Sequence, residues 1–256
     1  METNKKTDFQ LNPPILVTVG EVCVREAEIV QAFQNCRGWK IRQTISIAEM
    51  AEYVFSENAS ELLECVNHFE KPEISNPLMA YENTKSRNHA FAEVVRLLHN
   101  FVSASKSHVE HTRRTMREIL PQEVMVNYQQ KINTEFANNP LVQFVQDLRD
   151  YTLHRQNTFL GYKFEANSSE TAARLVIFRE HLESWNGWNQ WAKQFLQAAP
   201  KEILINDVVG QYLGKVQGFT EWLKVTIEKT FQKDFQEVWN LQAELKELLV
   251  KRGIPV

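Results

Sequence analysis

The chain reads as mainly α: an elongated helical bundle with two long helices, about 78–119 and 207–251, and a small β-hairpin near 158–179. Three observations predict this class. Apolar residues recur at three- and four-residue spacing along most of the sequence. The stretch from Leu78 to Ile119 contains neither proline nor glycine. Between Leu160 and Glu165 the pattern switches to alternation, the period of a strand.

Composition sets the bounds. With 256 residues, 43% apolar and 24% charged, the chain can bury a sizeable core, and it is read as one helical domain over 1–256. The net charge of −3 supplies no overall positive field, so any nucleic-acid contact needs a local basic patch. Cys23, Cys36 and Cys65 are odd in number and lack C-x-x-C spacing, which argues against a disulfide framework or a zinc knuckle and for reduced interior thiols. The apolar run Ile15 to Val19 is too short for a signal core or a membrane span, so a cytoplasmic protein with no membrane contact is expected.

In chain order, a polar tail ends at Pro13-Pro14. Ile15 to Val24 has strand character, but Val22, Ile29, Val30 and Phe33 keep helical spacing, and Gly38 stands where a helix ends, so a helix of about 20–36 is expected. Ser46 and Glu49 form a capping box ahead of Ile47, Met50, Ala51, Val54, Leu62, Val66 and Phe69, with a break near Asn58. These N-terminal helices occupy 20–70. Pro72 and Pro77 mark a loop. Phe91, Val94, Val95, Leu98, Phe101, Val102, Val109, Thr112 and Met116 then make one stripe on a helix of about 40 residues, roughly 60 Å long. Pro121 stops it, and a helix of about 122–136 follows.

Asn139 to Arg155 is the stretch around which the rest is organised. Asn139 suits a helix cap, Pro140 suits the first position, and Leu141, Phe144, Val145 and Leu148 mark one buried face. This helix ends in Arg149, Asp150 and His154: a cation, an acid and an imidazole. Beyond it, Leu160, Tyr162 and Phe164 alternate, Asn167-Ser168-Ser169 suits a turn, and Leu175 to Phe178 suits a second strand. A helix of about 187–198 carries Trp188, Trp191 and Phe195, and Asn206 suits the cap of a last helix that ends at Lys251 before Gly253 and Pro255. The hairpin and C-terminal helices thus occupy 158–252. Gly210, Gly214 and Gly218 fall on one face, each costing about 1 kcal/mol relative to alanine. A close helix crossing against small residues such as Ser103 and Ser107 is expected, ahead of a subunit contact or a hinge.

The residues at the end of the motif helix suit one chemistry. An arginine presents a permanent forked cation to a phosphate, and a histidine near its reference pKa of about 6.5 both accepts and donates a proton at neutral pH. Cleaving RNA without a metal needs a base for the 2′-hydroxyl, an acid for the leaving oxygen and a cation at phosphorus. One histidine does not easily fill both proton roles. A two-fold dimer supplies two copies. Five residues of ideal helix turn the chain by about 500°, so Arg149 and His154 diverge by about 140° unless the last turn loosens. Asp150 and His154 share a face, and the competing reading is a surface ion pair between them with Arg149 bound to a carboxylate elsewhere in the bundle; Asp147 offers another local partner.

Arg149-Asp150-Tyr151-Thr152-Leu153-His154, an arginine, a polar residue and a histidine closing a helix in an all-helical setting, resembles the motif of the HEPN superfamily. The resemblance covers about 78–156. It implies a helical bundle whose motifs meet in a homodimer and, in active members, a metal-independent endoribonuclease serving toxin–antitoxin, abortive-infection or other defence systems. Arg149 and His154 would then be the catalytic pair and Asp150 the supporting polar residue, with no cofactor and with an antitoxin or sensor protein as partner.

Other constellations are weaker. Lys106, His108, His111, Arg113, Arg114 and Arg117 make the middle of the long helix basic; with Arg155, they either hold an RNA backbone or form a solvated helix face. His108 and His111 have ligand spacing but no identifiable third metal ligand. Trp185, Trp188 and Trp191 either stack bases or belong to the core. No Walker loop, G-x-G-x-x-G, H-E-x-x-H or G-x-S-x-G occurs. Two readings follow: an RNA-cleaving toxin or defence effector, and a catalytically silent helical scaffold or interaction protein. Catalysis requires Arg149 and His154 to be exposed in a cleft, whereas a scaffold permits them to be buried in ion pairs.

Overall fold

The computed structural model describes residues 24–154, 160–166 and 171–254. The expected helix start near 20, Cys23, Arg155, the turn at Asn167 to Ser169 and Pro255 lie outside them. Among the described residues the chain is mainly helical, with one three-stranded antiparallel sheet. It divides into two compact units, Lys40–Gln232 and a smaller one formed by Met1–Trp39 with Lys233–Val256.

The larger unit is built on the two amphipathic stretches that the apolar spacing marked. Helix α4, Thr84–Ile119, buries Val94, Leu98, Phe101, Val102, Thr112 and Met116 along its stripe, and α6, Pro140–His154, packs beside it. Helix α2, Arg37–Glu70, contributes Phe55, Ala59, Leu62 and Val66, and α9, Ile205–Thr230, contributes Val208, Val209, Tyr212 and Val216. Phe55 and Phe101 lie 5.8 Å apart, and the Tyr212 ring meets each of them edge-on.

Several boundaries differ from the sequence expectation. Helix α2 is continuous from Arg37: Ser46 Oγ donates to the Gln43 carbonyl and Thr44 Oγ1 to that of Lys40, so these hydroxyls bond back to the preceding turn instead of capping a new helix. Asn58 likewise donates to the Val54 carbonyl without breaking the helix. The expected loop at Pro72 and Pro77 is a helix, α3, Pro72–Met79; proline suits its start, and Pro77 falls close to its end. The long helix begins at Thr84 and not at Leu78, because Asn83 Nδ2 donates to the Pro77 carbonyl and Thr84 Oγ1 to that of Tyr81, which favours a 3-10 turn over Tyr81–Asn83. Helix α5, Gln122–Ile132, runs on into a π turn, Asn133–Ala137.

The hairpin forms between β1, Leu160–Ala166, and β2, Thr171–Phe178, with Leu160 opposite Ile177 and Tyr162 opposite Leu175. A third strand, β3, Glu202–Leu204, pairs with β2 and was not foreseen, since three residues are too short to show alternation. Between them lie α7, Arg179–Glu183, and α8, Gln190–Ala198. Helix α8 begins at Gln190, three positions after 187, behind the cap residue Asn189, whose side chain accepts from the Trp191 and Ala192 amides. The expected last helix is two. Phe231 leaves helical geometry at φ −112° and ψ 19°, with its side chain only 1% exposed, and α10, Gln232–Lys251, follows. Burying a whole phenyl ring, worth about 2 kcal/mol, outweighs the interrupted helix at a site where neither glycine nor proline signals a break.

Asn206 is not a cap: its Nδ2 donates to Asn67 and Glu70. Nor do Gly210, Gly214 and Gly218 mark an internal crossing. All three are exposed, and, apart from the adjacent residues and backbone of their own helix, no described atom lies within 4 Å of where a Cβ would sit. A glycine that backbone packing does require is Gly38 in the smaller unit, which does not end a helix; a Cβ there would run into the Asp234 carbonyl of α10. That unit also buries Ile29 of α1, Val24–Asn35, with Phe235, Val238 and Leu245 of α10, and pairs Arg25 with Glu244 and Arg252 with Glu26, each at 2.6 Å.

Candidate functional site

Helix α6 starts as its sequence demands. Asn139 Oδ1 accepts from the Val142 amide at 3.2 Å, and Pro140 occupies the first position, where its missing N–H costs nothing. Leu141, Phe144, Val145 and Leu148 are buried as expected, joined by Val142 and Tyr151. Phe144 stacks on Phe195 at 4.4 Å and on Trp188 at 5.4 Å. Tyr151, inside the motif, stacks on Trp188 and donates from its hydroxyl to the His181 carbonyl at 3.2 Å. The motif turn is thus anchored by its central tyrosine, while the groups on either side remain accessible.

Arg149 and Asp150 are paired with each other, Nη1 to Oδ1 at 3.0 Å, with side chains 39% and 50% exposed. His154 is exposed at the end of the helix, next to Leu153, which is 47% exposed. Thr152 Oγ1 donates back to the Arg149 carbonyl at 2.9 Å. Asp147, weighed as a partner for Arg149, accepts instead from the Asn189 amide at 2.7 Å, and burial pushes its carboxyl upward while that hydrogen bond opposes the shift. Asn189 therefore ties α6 to the start of α8, donating also to Gln143 at 3.0 Å.

Of the basic residues, Arg113, Arg114 and Arg117 are exposed on α4 and Lys106 is half-buried. His108 does not lie on that exposed row: it is buried, stacks on Phe55 at 5.5 Å, and burial lowers its pKa to about 4. An imidazole that is neutral and enclosed is no counter-ion for an RNA backbone. His111 is exposed, and the described residues contain no group of three His, Cys, Asp or Glu able to hold a metal ion. Trp188 is core and donates to the Leu182 carbonyl; Trp185 and Trp191 are half-buried. Cys36 is buried and Cys65 half-buried, both as free thiols, with burial pushing the Cys65 thiol up to about 11.

Sequence reading missed a polar cluster on the same helix. Gln146 Nε2 donates to the Tyr212 hydroxyl at 2.7 Å and to Ser105 Oγ at 3.0 Å, joining α6 to α9 and α4 inside the core. Gln146 stands two positions past Phe144 and two before Leu148, with no motif around it, so only the tertiary fold reveals its role. No helix among the described residues is long and apolar enough to cross a membrane. No family model matches the chain, and comparison with curated proteins and with solved structures finds no match.

Proposed function

We propose that the chain is a metal-independent endoribonuclease of the HEPN type, acting as a homodimer in which the ends of two α6 helices face one phosphate. The observation that carries this reading is the accessibility of Arg149 and His154 at the end of a helix otherwise fixed in the core. In the reaction, one His154 takes the proton of the ribose 2′-hydroxyl as its oxygen attacks phosphorus. The bond from phosphorus to the 5′-oxygen breaks, and the partner's His154 gives that oxygen a proton. The products are a 2′,3′-cyclic phosphate and a 5′-hydroxyl. Arg149 stabilises the charge on the crowded phosphorus, and Asp150 orients the guanidinium. Exposed Leu153 provides apolar area for the contact between copies.

Arg113, Arg114 and Arg117 hold the RNA backbone. The biological setting is a cytoplasmic toxin or defence effector restrained by an antitoxin or sensor protein. A catalytically silent scaffold accommodates the same Arg149–Asp150 pair as a surface ion pair. Expression in cells separates the two. Growth arrest with fragmented RNA, abolished by Arg149→Ala and by His154→Ala at equal abundance, supports the nuclease; unaltered RNA in cells making the wild type supports the scaffold.

A further inference from the structure

In the larger unit, α4, α5, the π turn, α6 and α9 surround a cavity of about 250 Å³ that contains neither Arg149 nor His154. Phe136, Phe219, Val142 and Val216 give it apolar walls, and the Phe136 and Phe219 rings meet edge-on at 5.1 Å. Part of the wall is irregular, since Phe136 and Ala137 belong to the π turn, a distortion frequent at functional sites. The volume exceeds the roughly 150 Å³ of a cavity that holds benzene but falls below the roughly 300–1,000 Å³ of pockets for drug-sized molecules. A single ring or branched alkyl group with a short polar head suits that space.

The groups able to hold such a head lie at one end. Gln146 donates to Ser105 at 3.0 Å, which sets Lys106 of α4 beside Gln146 and Asp147 of α6, and all three line the cavity. Arg113 also lines it, but two turns further along α4, about 10 Å from Lys106, and it faces Glu110 at 3.6 Å. Lys106 and Asp147 are both half-buried, and among the described residues neither forms an ion pair, with the other or elsewhere. The lysine is near enough to oppose the burial that pushes the Asp147 carboxyl upward, but too weakly to cancel it. Asp147 Oδ2 takes the Asn189 amide, and a carboxylate has room for further donors. Gln146 uses its Nε2 on Ser105 and Tyr212, while its Oε1 takes no hydrogen bond from the described residues and is not enclosed. A cation and a carboxylate that line one apolar cavity without meeting call for an occupant that carries both charges.

We propose that this cavity binds a free α-amino acid with a large apolar side chain: the ammonium donates to Asp147 and Gln146 Oε1, the carboxylate meets Lys106, and the side chain lies against Phe136, Phe219 and Val216. The full-length chain is titrated by calorimetry with L-leucine, L-phenylalanine and L-tryptophan. Phenethylamine, which lacks the carboxylate, and 3-phenylpropanoate, which lacks the ammonium, serve as single-charge counterparts. At least one amino acid binds with a Kd of roughly 0.1–1 mM, the range open to so small a molecule. Phenylalanine binds about tenfold more tightly than either counterpart. Lys106→Met weakens phenylalanine about tenfold and leaves phenethylamine unchanged, whereas Asp147→Asn weakens phenylalanine about tenfold and leaves 3-phenylpropanoate unchanged. Lys106→Met keeps the apolar stem and Asp147→Asn keeps an acceptor for the Asn189 amide, so both variants fold. The crossed pattern separates direct contact with the two charges from a general loss of structure. The proposal is overturned if none of the amino acids binds, if either counterpart binds as tightly as phenylalanine, or if either variant leaves phenylalanine binding unchanged.

Discussion

The Arg149 guanidinium donates to the carboxylate of its chain neighbour Asp150 at 3.0 Å. Adjacent residues on a helix do not normally face each other, so the long arginine bends round the turn to make this pair. The contact is solvent-exposed and contributes no more than about 1 kcal/mol. Asp150→Ala should therefore leave the urea midpoint almost unchanged and, on the proposed nuclease function, lower RNA cleavage about tenfold or more through loss of orientation. A variant cleaving at the wild-type rate would remove Asp150 from the site.

Glu70 has the opposite balance. Its carboxylate, at the end of α2, accepts from the Leu175 amide at 2.8 Å and from Arg174 at 2.9 Å, with the Glu70 side chain 6% exposed. Glu70→Ala leaves a buried amide of the central strand without an acceptor and should cost about 2–4 kcal/mol in chemical denaturation. Glu70→Gln retains an acceptor oxygen and should cost less. Equal losses for the two variants would show that the acceptor is immaterial.

His108 makes stability pH-dependent. Its folded-state pKa is about 4 against an ordinary 6.5, so between these values the unfolded chain binds a proton that the folded chain refuses. Stability contributed by the neutral imidazole is fully present above pH 6.5 and falls as the pH drops toward 4, by up to about 3 kcal/mol. His108→Phe, which keeps a ring against Phe55, should flatten the stability profile over that window in urea titrations. An unchanged slope would place the protonation elsewhere.

The glycines on α9 and α2 should respond in opposite directions. Gly210→Ala, Gly214→Ala and Gly218→Ala meet open space and should each raise stability by close to about 1 kcal/mol. Gly38→Ala pushes a methyl into the Asp234 carbonyl and should be destabilising. Thermal melts of the four variants check this. Destabilisation at Gly214 would indicate a close contact made by a second molecule.

What could be read from the sequence divides along physical lines. Buried stripes on α4 and α6 were legible because their period is set by local geometry, and the Asn139–Pro140 start because its hydrogen bond is local. The alternation at Tyr162 and Phe164 revealed the hairpin for the same reason. Signals that have two uses misled. Gly38 suits a helix end or a close crossing, and only Asp234, far along the chain, decides between them. Ser46 suits a cap or a bond to the preceding turn. The break at Phe231 and strand β3 depend on tertiary burial and pairing, which leave no local mark. At the candidate site, the types and spacing of Arg149, Asp150 and His154 were legible, whereas the enclosure of His108 and the Gln146–Tyr212 bond were not.

The most direct test of the central claim is cleavage of a defined single-stranded RNA by the purified chain in excess chelator, with the new ends identified chemically. The account predicts 2′,3′-cyclic phosphate and 5′-hydroxyl ends, and loss of at least about a hundredfold in rate for Arg149→Ala and for His154→Ala in folded protein. Intact RNA with the wild type, or equal cleavage by both variants, would contradict it.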